Sequence, residues 1–531
     1  MLTTSILALL LLANAPAHAL DAAVVKKLAA EDTAPKLEAI NALASAADPA
    51  ALPVLEALRD GNLNVAPDGT VLILDGGAAK DAVTGAALAQ VPAGLEAVGI
   101  NNRVRSALDS ALSAFALFSS DREKRLQAAR GMEGSTSVSL RPMLNKALEK
   151  ETDPQIRSTL EQTRAGINVS DSDPKVRLEA VKVLGQSNQQ RTKLLLLPLL
   201  EKDANGQFVE PDQHVRQAAD LAITLINRRV ALSDYSGRLF AGVSLASILM
   251  LAALGLAITY GLLGVINMAH GEMIMIGAYA TYVTQQLLRN HLAGLLEWYP
   301  VVATPVAFIA SALVGMVLER TVIRWLYGRP LETLLATWGI SLFLIQLVRQ
   351  IFGPQNVEVA NPSWLSGGIE LANLTLPYSR IAIIVFAMVV LLLMWLLLAR
   401  TRLGLFVRGV TQNRIMASCM GVNTGRVDLL AFGLGSGVAG LAGVALSQVG
   451  NVGPDLGQSY IIDSFMVVVL GGVGQLAGTM YAALGLGVAS KLLEPYIGAV
   501  PTKILILVLI IAFIQKRPQG LFALKGRAVE A

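Results

Sequence analysis

The chain has 531 residues, 53% of them hydrophobic and only 15% charged, with a mean hydropathy of +0.55. Soluble domains carry about 25% charged residues, so this composition excludes an ordinary soluble protein and requires contact with lipid. The net charge of +4 is a sum of two unlike parts: residues 20 to 236 hold 25 Lys/Arg and 28 Asp/Glu, against 18 and 11 from 237 onward. A polar domain is joined to a membrane domain, and nucleic-acid binding is not implied. One cysteine, Cys419, excludes a disulfide framework and any multi-cysteine metal site.

In chain order, Met1 to Ser5 lead into an apolar run from Ile6 to Ala13 and then Ala17-His18-Ala19. The run is too short to span a bilayer, and small-x-small is a cleavage pattern. Residues 1 to 19 therefore read as a signal peptide cut after Ala19, although no Lys or Arg precedes the apolar core. That places residues 20 to 236 outside the cytoplasm.

This polar segment reads as helical and weakly repetitive. Asp-x-x-x-Arg occurs at Asp121/Arg125, Asp153/Arg157, Asp173/Arg177 and Asp212/Arg216, with Asn101/Arg105 as a looser copy. An Asp at a helix start, followed by an apolar face of period 3.6, is what a helical hairpin repeat needs. The 39-residue spacing of Asp173 and Asp212 resembles HEAT-type repeats, whose period is about 40; the other spacings are 20 and 32, so the repeat is degenerate. The Asp/Arg pairs read as structural i,i+4 pairs along helices. Between Val65 and Leu74, turn residues separate β-branched stretches and predict a hairpin.

From Leu239 the chain turns to apolar runs near the roughly 20 residues a membrane helix needs. Helices are predicted at 239 to 264, 268 to 288, 301 to 319, 332 to 352, 380 to 399, 427 to 449, 461 to 473, 476 to 493 and 499 to 515, the short seventh piece reading as broken or re-entrant. Arg320, Arg324 and Arg329, then Arg400 through Arg426, then Lys516, Arg517, Lys525 and Arg527 mark three cytoplasmic segments. The loops near 353 to 379 and 450 to 460 lack Lys and Arg, as outside-facing loops should. An external amino terminus and internal carboxyl terminus require an odd number of crossings, which nine satisfies and eight does not. The fold class is all-α: a polytopic helical membrane protein of eight or nine transmembrane helices over 237 to 531, behind a soluble HEAT-like domain.

Three motifs carry a family resemblance. Gly261-Leu262-Leu263-Gly264-Val265-Ile266-Asn267-Met268-Ala269-His270-Gly271-Glu272, followed by Met275 to Tyr279, resembles the signature joining the first two helices of branched-chain amino-acid-type ABC transporter permeases. Met416 to Arg426, leading to Ala439-Gly440-Leu441-Ala442-Gly443, is similar to that family's cytoplasmic coupling loop and next helix. Val469 to Gly474 with Gly478 is the third, and together they cover nearly all of 239 to 525. A secreted helical domain ahead of the permease resembles the urea transporter branch. Thr411-Gln412-Asn413-Arg414 points the same way, since amino-acid members carry acidic residues at the second and third positions.

The resemblance implies a permease subunit of an ABC importer in the bacterial inner membrane, carrying urea or short amides, with branched-chain amino acids as the alternative substrate. Its implied partners are a second homologous permease, two cytoplasmic ATPases and a periplasmic binding protein. It is not itself an enzyme: Gly-Lys occurs nowhere in the chain, so no phosphate loop is present, and ATP belongs to the partners. No cofactor is expected, and His18, His214, His270 and His291 show no metal spacing.

Asn267, His270 and Glu272 sit at the edge of two apolar runs, where polar groups must face protein or water. Asn267, His270, Gly271 and Glu272 therefore line a substrate path or gate, or they form a capped turn with Glu272 at a helix start. The coupling loop comprises Arg408, Gln412, Asn413, Arg414, Ala417, Ser418, Gly421, Asn423 and Arg426, with Gln412 to Met420 an amphipathic stretch able to dock in an ATPase groove. Gly435 to Gly440 matches a dinucleotide fingerprint but lies in an apolar helix, so Gly433, Gly437, Gly440, Gly443, Gly471 and Gly472 are assigned to close helix packing. A secondary carrier or channel would need intramembrane charge relays, and a scaffold would need one membrane helix. No nucleophile and base pair suggests a membrane enzyme.

Overall fold

The computed structural model describes residues 20 to 522 apart from 47, 76, 77, 89, 136, 265, 372 and 373. The expected signal peptide lies outside the described residues, as do Val265 of the first motif and the terminal Lys525 and Arg527. Contacts divide the chain into two compact units that meet in sequence at Val230 and Ala231.

The first unit contains α1 (Ala22–Leu28), α2 (Thr33–Ala46) and α3 (Ala51–Arg59), then four short strands, β1 (Leu63–Val65), β2 (Val71–Asp75), β3 (Ala78–Asp81) and β4 (Glu96–Ala97). Helices follow at α4 (Asn102–Ala116), α5 (Arg122–Gly131), α6 (Arg141–Lys150), α7 (Pro154–Asn168), α8 (Pro174–Leu184) and α9 (Gln190–Leu196), and α10 (Gln213–Leu263) begins here. The predicted hairpin is present: Val65 pairs with Val71, and Gly69 takes a φ of 84° that favours glycine. The antiparallel sheet is larger than that hairpin, in the order β3-β2-β1-β4, so the mostly helical unit carries two strands more than the sequence predicted.

The repeated Asp residues cap helices. Asp121, Asp153 and Asp173 accept backbone N–H bonds at the starts of α5, α7 and α8, and Asp212 does so from His214 and Val215. The repeated Arg residues do not pair with them. Arg125 instead binds Glu151 at 2.8 Å, and Arg177 binds Glu210 at 2.7 Å, each carboxylate standing two residues before the next capping Asp. The same arginines reach back to two linker carbonyls, Ser119 and Ser120 for Arg125, Asp171 and Ser172 for Arg177. An i,i+4 pair would sit on a solvated face; these buried links instead bind one helix to the linker before a later helix.

The second unit holds the rest of α10, then α11 (His270–His291), α12 (Tyr299–Thr321), α13 (Pro330–Phe352), the hairpin of β5 (Gly368–Leu371) and β6 (Leu374–Pro377), and α14 (Tyr378–Arg400). Two short helices, α15 (Arg402–Gln412) and α16 (Arg414–Cys419), precede α17 (Thr424–Ser447), α18 (Leu456–Gly471), α19 (Leu476–Ile497) and α20 (Ala499–Lys516). Among the described residues, seven helices are long and apolar enough to cross a membrane, and α18 is a shorter apolar helix. The predicted short piece at 461 to 473 is thus one unbroken helix of 16 residues, about 24 Å long at 1.5 Å per residue.

The breaks lie before α11 and α18. The His270 ring contacts the Ala252 carbonyl, eleven residues before α10 ends, so α11 starts alongside the last turns of its neighbour and not level with its end. A Cβ on Gly271 would lie 2.6 Å from the Gly457 oxygen, so the starts of α11 and α18 meet. The chain before α18 is held by reciprocal backbone bonds between Val357 and Val452 and by Arg349 on Asp455 at 2.8 Å.

Candidate functional site

Around α17 the helices approach closely enough that glycine is required. Gly433 lies against Met316, Gly437 against Phe308 and Gly440 against Ala307 and Ser311 of α12, while Gly443 lies against Ile274 and Ala278 of α11. Gly471 touches Gly478, and Gly472, at φ 99°, lies beside the Phe522 carbonyl. Without a hydrophobic drive between helices in lipid, such backbone approach supplies the packing energy.

Inside this bundle the break between α10 and α11 gathers the expected polar residues. Asn267, His270 and Glu272 are 0%, 0% and 1% exposed. Asn267 closes the turn by accepting the Ala269 N–H at 3.0 Å, His270 holds the Ala252 carbonyl at 3.0 Å, and Glu272 accepts the Ser341 hydroxyl at 2.6 Å. Thr337 accepts the Met268 N–H at 3.1 Å. Half of each polar side chain is thereby used for structure. The other half is not: among the described residues, Asn267 Nδ2, His270 Nδ1 and Glu272 Oε2 are buried without a partner. Such groups carry a desolvation cost of about 1–3 kcal/mol each, which an ordinary capped turn would avoid.

Reading the sequence for charged or aromatic residues missed Thr337 and Ser341. Their signal was present: Thr333, Thr337 and Ser341 recur every four residues along an apolar helix, which places them on one face. On the opposite side of the bundle, Tyr299 lies 3.0 Å from both the Ala360 carbonyl and Gln448 Oε1, and Gln285 donates to the same carbonyl at 2.8 Å. This ties α11, α12 and α17 to the loop after α13.

The arginine-rich segment is not one amphipathic stretch from Gln412 to Met420. It bends at Asn413, whose side chain caps α16 by accepting the Met416 N–H at 2.9 Å. Gln412, Ser418 and Arg426 are exposed and Ala417 is buried; Arg408 donates to the Gly404 carbonyl, and Asn423 caps α17. Gly421 follows α16 at φ 86°. The bend projects Ile415, Met416 and Met420, which are 77%, 58% and 81% exposed. Arg414 pairs with Asp428, which is 0% exposed, and lies 4.9 Å over the Tyr327 ring. Tyr327 donates to Glu319 at 3.1 Å, so a charged relay joins α16 to the ends of α12 and α17. Asp428, Tyr327 and Glu319 were invisible as a group because 109 residues separate Glu319 from Asp428. Among the described residues, no group of three or more His, Cys, Asp or Glu could hold a metal.

A bundle of apolar helices, two of them starting in mid-bundle, with an exposed apolar knob on its arginine-rich side, is the architecture of an integral membrane permease. The model of the branched-chain amino acid transport system permease component matches residues 238–514, and the chain belongs to that family. It is 31% identical over 291 residues to the high-affinity branched-chain amino acid transport system permease protein LivH of Salmonella typhimurium, covering 54% of this chain and 94% of the relative. BraD of Pseudomonas aeruginosa, with the same description, is 30% identical over 294 residues, 54% of this chain and 95% of its own length. The permease LivM of Escherichia coli is 26% identical over 279 residues, 48% of this chain and 63% of the relative.

Proposed function

We propose that the chain is the pore-forming permease subunit of an ATP-driven importer for a small polar solute in the bacterial inner membrane. The observation that carries this is the closed break between α10 and α11, where Asn267, His270 and Glu272 keep buried polar atoms free beside a pair of mid-bundle helix starts. Helix interruptions at such depth are where membrane transporters handle polar solutes. The knob of Ile415, Met416 and Met420 fits a groove on a cytoplasmic ATPase in the helix-in-groove manner. ATP is bound there, in two partner subunits, while a second homologous permease completes the pore and an external binding protein delivers solute. ATP binding drives alternation by favouring one of two pore states.

Branched-chain amino acids are the first substrate class, because the relatives matched over most of their length carry that name. Urea and short amides are the second. What favours them is the first unit, residues 20 to 236 outside the cytoplasm behind a signal peptide: LivH is matched over 94% of its length without it. The unit braces the partner permease or docks the binding protein, because helical repeats present extended surfaces.

Uptake of labelled urea and labelled leucine at micromolar concentration, in cells lacking the gene and in cells with it restored, separates the readings. Leucine uptake without urea uptake supports the first class; urea uptake that leucine does not compete away supports the second. Restoration of neither overturns the importer. Deleting residues 22 to 230 behind the signal peptide should impair uptake while leaving membrane insertion unchanged, and full transport would remove the bracing role.

A further inference from the structure

A cavity of about 390 Å³ opens among α10, α18, α19 and α20. Four charged side chains line it from three helices: Asp463, Lys491, Glu494 and Lys503. They form two pairs, Lys503 on Asp463 at 3.1 Å and Lys491 on Glu494 at 2.6 Å. Charges on membrane helices mark protein-facing or water-filled paths, because lipid exposure is costly. The Asp463 side chain is 13% exposed whereas that of Lys503 is 58% exposed, so the pair has one buried and one reachable end. Leu456 lines the same cavity and precedes Gly457, which meets Gly271 of α11. The cavity therefore ends against the junction of the two helix starts. It lies near the end of α19 and the beginning of α20, on the side that the arginine distribution assigns to the exterior.

We propose that this cavity is the outward-facing solute site, taking a small solute without net charge that presents a hydrogen-bond acceptor and N–H donors together. The assignment rests on the permease reading. Two cations and two anions sum to zero, so a lone anion meets Asp463 and Glu494, and a lone cation meets Lys491 and Lys503. A solute with both kinds of group can exchange with either pair: its carboxylate or carbonyl oxygen accepts from Lys503, and its N–H groups donate to Asp463. Leu249, Leu486 and Ile506 add an apolar wall. A zwitterionic amino acid and urea share the polar chemistry, and only the amino acid uses the wall.

The test is ATP-dependent uptake by the complete transporter in vesicles, with initial rates measured against concentration for labelled leucine and labelled urea. K503Q and D463N should each raise KM for the carried solute on the order of tenfold, what one charged hydrogen bond is worth, with maximal rate and membrane level retained. Ser459→Trp, which fills the cavity, should abolish saturable uptake. The solute whose KM moves identifies the source. Unchanged KM in K503Q together with normal uptake by S459W overturns the site. So does full recovery of KM by the swapped pair K503D/D463K, which would make the pair a structural brace. A rate that follows vesicle lipid composition at constant KM would overturn it in favour of a lipid headgroup. No uptake of either solute by the unaltered transporter would instead remove the permease reading, and the site with it.

Discussion

The two units solve the same problem, bringing helices together, with opposite chemistry. In the first unit side chains make the joints: aspartates cap helix starts, and Arg125–Glu151 and Arg177–Glu210 bind one helix to a distant linker. In the second unit the absence of side chains makes them, as Gly277, Gly440 and Gly443 let backbones touch. The reason is the solvent. Water screens and solvates surface charges but drives apolar faces together, so polar joints add specificity around a hydrophobic core. Lipid removes the hydrophobic drive between helices and penalises unpaired charge, leaving close contact as the means of association. The second unit also uses charge in places: Arg349–Asp455 ties down the chain before α18, Arg414–Asp428 joins α16 to α17, and Lys503–Asp463 lines the cavity proposed as the solute site.

That contrast can be broken by substitution, beginning with the largest effect. Gly440→Leu would drive a side chain into the Ala307 carbonyl, 2.7 Å from its Cβ; immunoblots of membranes should show the protein lost and uptake abolished. A normal level would mean that the bundle does not depend on glycine contact. Arg414→Gln leaves Asp428 buried and unpaired, a loss of about 3–5 kcal/mol, which thermal unfolding in detergent should register. Adding Asp428→Asn should recover part of that stability but leave ATP hydrolysis uncoupled from uptake.

In the first unit Arg177→Gln should destabilise by about 3 kcal/mol, because Glu210 loses its buried partner, read as faster proteolysis of that unit in the intact chain. Its pH dependence sharpens the comparison. Burial raises the carboxyls of Glu151 and Glu210, but the arginine bonds and backbone N–H groups outweigh it, so both titrate below their ordinary value of 4.5. Their contribution is fully present above that value and is lost as pH falls through the lower folded values. Acid should therefore release the first unit to proteolysis, and Glu210→Gln with Arg177→Gln should flatten the effect. Asp173→Ala removes one cap and should cost about 1 kcal/mol, the smallest change.

Much of this molecule follows from sequence because the controlling interactions are local. Apolar run length set the helices, a capping Asp needs only its own next two or three residues, and the hairpin at Val65 and Val71 is a turn of five residues. The motif around Asn267 to Glu272 was legible because a polar group beside apolar runs has few acceptable places. What only the tertiary structure decided depends on residues far apart in the chain. Arg125 and Arg177 chose carboxylates 26 and 33 residues away over the aspartates one turn before them, since those aspartates were already held by backbone N–H groups. Composition could not reveal that α11 and α18 begin in mid-bundle: an interrupted crossing and a complete one have the same apolar content. The partner of Glu272 is Ser341, 69 residues on, and the Arg414 relay and the four-charge cavity are likewise assembled from separate helices. Pattern constrains which face of a helix is polar; only packing brings that face to a particular neighbour.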